Sequence, residues 1–366
     1  MRGDTDRQAL VLSALTPDQL VPADHPIRAI KPIVGRALQA ISPTLSKMYA
    51  KTGRPSIPPE HLLKASLLIA LYSIRSERQF CERLQYDLLF KWFLDLNISD
   101  PAFHPTTFSK NRESLLKHDV ARQFFVAVIE EARQQRLLSE DHFTVDGTLL
   151  EAWASLKSFR PKNDDSQPPA SGGRNPYMDY HGEKRRNETH ASTTDPDAQL
   201  MRKGLGKEAK LNFMGHVLME NRTGLVVDIM LTPATGKAER EAAVGMLDRL
   251  PARKRRRTLG GDRGYDTQDF VKDLRRRNVT PHVAQNENGR RSAIDGRTTS
   301  WAGYKKSQRI RKRVEEIFGW VKTVAGGRKL RYIGVKRNQL WAEFTATAYN
   351  LVRMAKLLAR PADLAA

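Results

Sequence analysis

Three acids stand along the chain in settings that suit chemistry at phosphorus. Asp146 ends "FTVD" and precedes Gly147; Asp262 ends "RTLGGD" and is followed within two residues by Gly264. Glu315 lies in "RKRVEEIFGWVK", residues 311–322, one of the most basic parts of the chain. A carboxylate beside a glycine leaves room for a ligand or a second backbone. Carboxylates at strand ends also occupy the edge where open α/β sheets form their sites. Hard oxygen donors suit Mg²⁺ or Mn²⁺. Two such ions about 4 Å apart can activate a nucleophile and stabilise the leaving oxygen at a phosphodiester. Each acid also has an ordinary reading, as a cap, a turn residue or a member of a solvated i,i+4 charge row. Three of them in a chain that seeks polyanions favour the chemical reading.

The helical register separates the two adjacent glutamates. At about 100° per residue, Ile310, Val314, Ile317 and Val321 form a core stripe, and Gln308, Arg311, Glu315 and Lys322 form a polar row about 120° away. Glu316 falls on the opposite flank. Glu315 therefore lies beside the buried stripe, near the expected sheet, with Arg311 and Lys322 in reach of phosphates.

Other residues are weighed with these. Tyr265, two residues beyond Arg263 in "GDRGYD", is placed to stack on a base, although an aromatic after a tight turn also serves packing. The run "RKRRR", residues 253–257, precedes a strand; Arg255 and Arg256 are read as phosphate contacts, against a solvated turn. Asp228 alternates with Val227 and Ile229, is expected to face solvent and is left out of the site. The histidines show no ligand spacing. The tract "HASTTDPDAQ" suggests no mechanism.

The balance of charge points to the partner. Among 366 residues, 62 Lys and Arg against 41 Asp and Glu give a formal charge of +21. That surplus exceeds what solubility needs and fits a nucleic acid. A membrane is the weaker reading, because the apolar stretches 62–72 and 340–354 are short and interrupted by charge. Cys81 is the only cysteine, so no disulfide framework arises within one chain, and a reducing cytoplasm fits. No secretory signal is evident at the start.

The first 120 or so residues read as helices. Pro58-Pro59 opens one, Ser76 with Gln79 caps the next, and "YDLLFKWFLDL" follows. The last two, joined at Leu84-Gln85-Tyr86, are read either as a helix-turn-helix or as part of a plain helical core. From residue 141 the period changes to that of strands. An irregular stretch, 155–207, has few apolar anchors and is expected to be poorly ordered or ordered by a partner. Beyond it come two strands joined by Arg222-Thr223-Gly224, then helix, strand, helix, strand and two helices. The expectation is an α/β fold, a mixed sheet with flanking helices, preceded by an all-α domain.

"TVDGT", "GGDRGYDT" and "RIRKRVEEIFGWVK" resemble the three catalytic blocks of the DDE transposases of bacterial insertion sequences, the IS5 group within the IS4-like set. The spacing Arg311-x3-Glu315-x6-Lys322 is that set's glutamate signature. Gln308 stands where its tyrosine is usual, and Arg263 where many relatives carry lysine. Residues 51–84 are similar to the group's helical N-terminal domain. The resemblance implies an RNase H-like catalytic domain over 121–366, carrying the 155–207 insertion, and a DNA-end-binding domain over 1–120. It implies Asp146, Asp262 and Glu315 as catalytic and metal-binding residues for two Mg²⁺ ions, with Mn²⁺ able to substitute. It further implies endonuclease action at the element's terminal repeats, joining of the freed 3′-hydroxyl to target DNA, a homodimer in the synaptic complex, and a cytoplasmic, nucleoid-associated bacterial location. An inactive DNA-binding regulator and a nuclease without strand transfer are the alternatives.

Overall fold

The computed structural model describes residues 16–49, 56–162, 185–204 and 206–359. The N-terminal part is helical: α1 (Pro17–Leu20), α2 (Ile27–Lys47), α3 (Pro59–Leu71), α4 (Glu77–Tyr86), α5 (Leu88–Phe93), α6 (Thr106–Lys117) and α7 (Val120–Gln134). Pro59 occupies the first turn of α3, where a missing N–H costs no intrahelical bond. Ser76 caps α4 by accepting from the Gln79 N–H at 3.0 Å. Leu84, Gln85 and Tyr86 belong to α4 and do not form a turn: Asp87 alone ends α4 and begins α5, accepting from Phe90 N–H. Phe80 and Phe90 stack at 5.6 Å inside the helical core. The pair is thus joined more tightly than the three- to four-residue turn of a helix-turn-helix.

The sheet comprises β1 (His142–Glu151), β4 (Gln199–Arg202), β5 (Ala209–Glu220), β6 (Val226–Pro233), β7 (Arg257–Gly261) and β8 (Val279–Val283); β2 (Phe159–Pro161) and β3 (His190–Ser192) pair separately. β1 runs antiparallel to β5 over its whole length but parallel to β7 only from His142 to Thr144. Along the outer edge of β5, β4 takes residues 209–212 and β6 takes 213–219. β8 completes the sheet, parallel to β7. The path β6–β5–β1–β7–β8, an antiparallel meander with two parallel strands added beside β1, is the RNase H-like order. Gly224, at φ +74, makes the β5–β6 turn, its N–H bonded to Glu220 O.

Alternation divides the two faces of the sheet. Phe143, Val145 and Leu218 pack towards α8 (Ala238–Asp248) and α9 (Gln268–Arg276). On the other face, Leu150, Phe213 and Val217 meet α12 (Val314–Thr323) and α13 (Val335–Leu358). Between β8 and α12 lie α10 (Gly296–Thr299), α11 (Ala302–Ile310) and a 3₁₀ turn (Arg311–Arg313), so the segment read as one helix is broken just before Glu315.

Helix α13 is apolar on two sides for a reason. Leu340, Phe344, Ala348 and Leu351 join the helical core, whereas Ala342, Ala346 and Tyr349 join the sheet core. Its amides close the exposed edge of β6: Asn350 accepts from Val226 N–H and donates to Val226 O, and Gln339 does the same for Leu231 N–H and Ile229 O. An uncovered edge strand would invite pairing with another chain. The helical core also includes α7, so packing does not break at residue 120.

Two expectations need correction. Asp228 does not face solvent; it is 1% exposed and paired with Arg122 of α7 and Arg249. Its charge is tolerated because two guanidinium groups neutralise it, and the Arg122 pair ties α7 to β6. The stretch 155–207 is ordered in part: β2 pairs β3, His190 stacks on Phe159, and β4 adds to the sheet. Residues 163–184 lie outside the described residues. The "HASTTDPDAQ" tract also gains a structural role, because Asp195 and Asp197 accept from the Gly334 and Val335 N–H groups at the start of α13, where carboxylates are favoured.

Candidate active site

Asp146 lies within β1, which continues to Glu151 and does not end at the aspartate. It stands two residues past the last β1–β7 pair, in the crevice where those strands part. Its Oδ1 accepts from the Gly147 N–H at 2.8 Å. Asp262 follows the last residue of β7 and caps a 3₁₀ turn, Arg263–Tyr265, by accepting from Gly264 N–H at 2.8 Å. The two parallel strands thereby bring both aspartates to one edge of the sheet.

A third carboxylate joins them that the sequence reading did not select. Glu239, in the first turn of α8, reaches over Gly147: a Cβ there would lie 2.8 Å from Glu239 Oε1 and would push that side chain aside. Burial, then repulsion from Asp262 and Glu239, pushes the Asp146 carboxyl up to about 7, against relief from Gly147 N–H and Arg311. Glu239 is raised by burial and by Asp262. The only sequence signal for Glu239 was its place at a helix start after β6; nothing in its spacing linked it to Asp146.

Glu315 is exposed and, among the described residues, makes no hydrogen bond or ion pair. Its two row-mates rest on neighbouring strands, Arg311 on β7 and Lys322 on β1. Arg311 packs its stem over Gly260, and its Nε donates to Gln308 Oε1 at 3.1 Å. Gln308 in turn donates to His282 O, so the residue at the usual tyrosine position braces the arginine. Lys322 Nζ donates to Thr148 Oγ1 at 2.6 Å. Glu316, in contrast, pairs with Arg353 of α13 at 2.8 Å, as its flank predicts.

The remaining expected DNA contacts divide. Arg263 is exposed beside Asp262. Tyr265 is wholly buried, packed on Phe270 at 5.3 Å, and has no ring face to offer a base; the turn after Asp262 folds it under the sheet. Arg255 and Arg256 precede β7, at the opposite end of that strand from Asp262. They are exposed but stand roughly 17 Å away along five residues of strand, so they do not line this site.

The donor set fits hard divalent cations. Carboxylates held this close carry a repulsion that such an ion relieves. Among the described residues, no three His, Cys, Asp or Glu side chains already stand in ligand geometry.

Residues 15–114 match the family described as "Transposase domain (DUF772)", and residues 188–351 match "Transposase DDE domain". The chain belongs to the DDE transposases, and it is a DNA transposase with an RNase H-like fold. Members of this family use divalent metals. No curated protein matches the chain. Among solved structures, a piggyBac transposase synaptic complex with hairpin DNA aligns at 12% identity over 92% of this chain and 82% of that one, with TM-score 0.35. The Mos1 strand transfer complex aligns at 8% identity over 83% and 79%, with TM-score 0.20. Likenesses this loose establish nothing further.

Proposed function

We propose that this transposase, of the IS5 group, cuts DNA at the ends of its element and joins the freed end to target DNA, with Asp146, Asp262 and Glu315 as its catalytic carboxylates. The observation that carries the reading is the meeting of Asp146 and Asp262 at the parting of β1 and β7, with Arg311 and Lys322 spanning the same edge. In the first step water attacks phosphorus and the bond to the 3′-oxygen breaks, leaving a 3′-hydroxyl. In the second, that hydroxyl attacks a target phosphodiester and displaces a target 3′-oxygen. Asp146, Asp262 and Glu315 would hold two divalent ions, Mg²⁺ or Mn²⁺, whose charge activates the attacking oxygen and offsets charge growing at phosphorus. Arg311, braced by Gln308, and Lys322, seated on Thr148, position the flanking phosphates, and Arg263 adds a cation beside Asp262.

Residues 1–120 would bind the terminal repeats, residues 121–366 would carry the chemistry, and two copies would pair the ends. Among the described residues no helix is long and apolar enough to cross a membrane; the place of action would be the bacterial cytoplasm. The decisive assay incubates uncut and pre-cut element ends with Mg²⁺ and follows nicking and joining separately. Nicking without joining would leave a nuclease, and binding without either would leave a regulator.

A further inference from the structure

We propose a second phosphate-binding groove, beside the acids, in which Arg202 and Lys203 at the end of β4 face Lys322 of α12 and hold the DNA backbone next to the phosphate being cut. This deepens the transposase reading and rests on it. A cavity of about 280 Å³ is floored by Gly147, Thr148 and Leu149 of β1 and walled on one side by Met201, Arg202 and Lys203, with Lys322 on its rim. Glu239 lines the end nearest Asp146. Thr148, where Lys322 is seated, lies two residues along the strand from Asp146, about 7 Å away. A backbone running from the acids along β1 would therefore enter the groove.

The cations of the groove are unmatched. Arg202 and Lys203 are exposed, and among the described residues neither has an ion-pair partner. Lys322 is half-buried, and its ammonium is lowered by burial and then by Lys203 across the groove. Like charges facing one another over a cavity call for an anion. The carboxylate that lines the cavity, Glu239, stands at the catalytic end, so the far end is free for a phosphate. The segment from β3 to β4 thus acquires a role: pairing β4 to β5 fixes these two cations opposite α12.

Phosphate contacts are independent of sequence, so the probe is a fluorescein-labelled duplex of arbitrary sequence, titrated without metal over a range of salt. Each lost phosphate contact lowers the slope of log affinity against log salt by about 0.9. The R202A/K203A variant should reduce the slope by about 2, with thermal unfolding unchanged because both side chains are exposed and unpaired. K203E should weaken binding further. K272A/R276A, on α9 on the other face of the sheet, removes the same charge and should leave the slope near wild type. An unchanged slope in R202A/K203A, or an equal fall in the α9 control, would overturn the groove while leaving the transposase reading intact. If the wild-type protein itself bound with no salt dependence, both readings would fall.

Discussion

Replacing Asp146 by Asn should stabilise the metal-free protein, and by an amount that depends on pH. The carboxyl stands at about 7, against 3.8 for a free aspartate, so the folded state holds its proton more tightly than the unfolded chain. This group's contribution is therefore most favourable below the unfolded value and is lost as pH rises to about 7. That difference corresponds to about 4 kcal/mol at about pH 8, falling to about 1 kcal/mol near pH 4.5. Asn keeps an acceptor for the Gly147 N–H but carries no charge, so that cost disappears. At roughly 2 °C per kcal/mol for a long chain, unfolding in EDTA should shift upward by roughly 8 °C at the higher pH and about 2 °C at the lower. Added Mg²⁺ or Mn²⁺ should stabilise wild type and not the variant. A shift equal at both pH values, or a loss of stability at the higher one, would show that neither burial nor the neighbouring carboxylates raise Asp146 and would refute this reasoning.

Glu315→Gln should abolish nicking and joining while DNA binding, measured by anisotropy, persists. Glu316→Gln loses only a half-exposed pair with Arg353, costs under about 1 kcal/mol and should keep most activity; identical behaviour of the two would refute the register. Asp228→Ala leaves Arg122 and Arg249 without the carboxylate they flank and should cost about 3 kcal/mol in urea unfolding, whatever the metal. Gly147→Ala places a methyl against Glu239 Oε1. It should displace that side chain and lower divalent-ion affinity, read by calorimetry, with little change in unfolding temperature.

The sequence by itself determined what depends on local pattern. The helical N-terminus, the β5–β6 turn at Gly224 and the strand-to-turn setting of Asp262 follow from periodicity and from glycine and proline placement. So does the separation of Glu315 from Glu316, because a helix fixes which neighbours share a face. Only the tertiary structure decided what depends on which element lies beside which. Asp228 reads as solvent-facing by alternation, yet it is buried against two arginines, one on α7 and one just past the end of α8. Tyr265 reads as available, yet the turn after Asp262 folds it under the sheet. Glu239 gave no signal at all, because its closeness to Asp146 arises from α8 crossing β1 at a glycine 92 positions earlier in the chain. The cations of β4 likewise meet Lys322 only because β4 pairs at the edge of β5. Periodicity reports a residue's own element, whereas a site joins residues from several, and the pairing of strands brings them together.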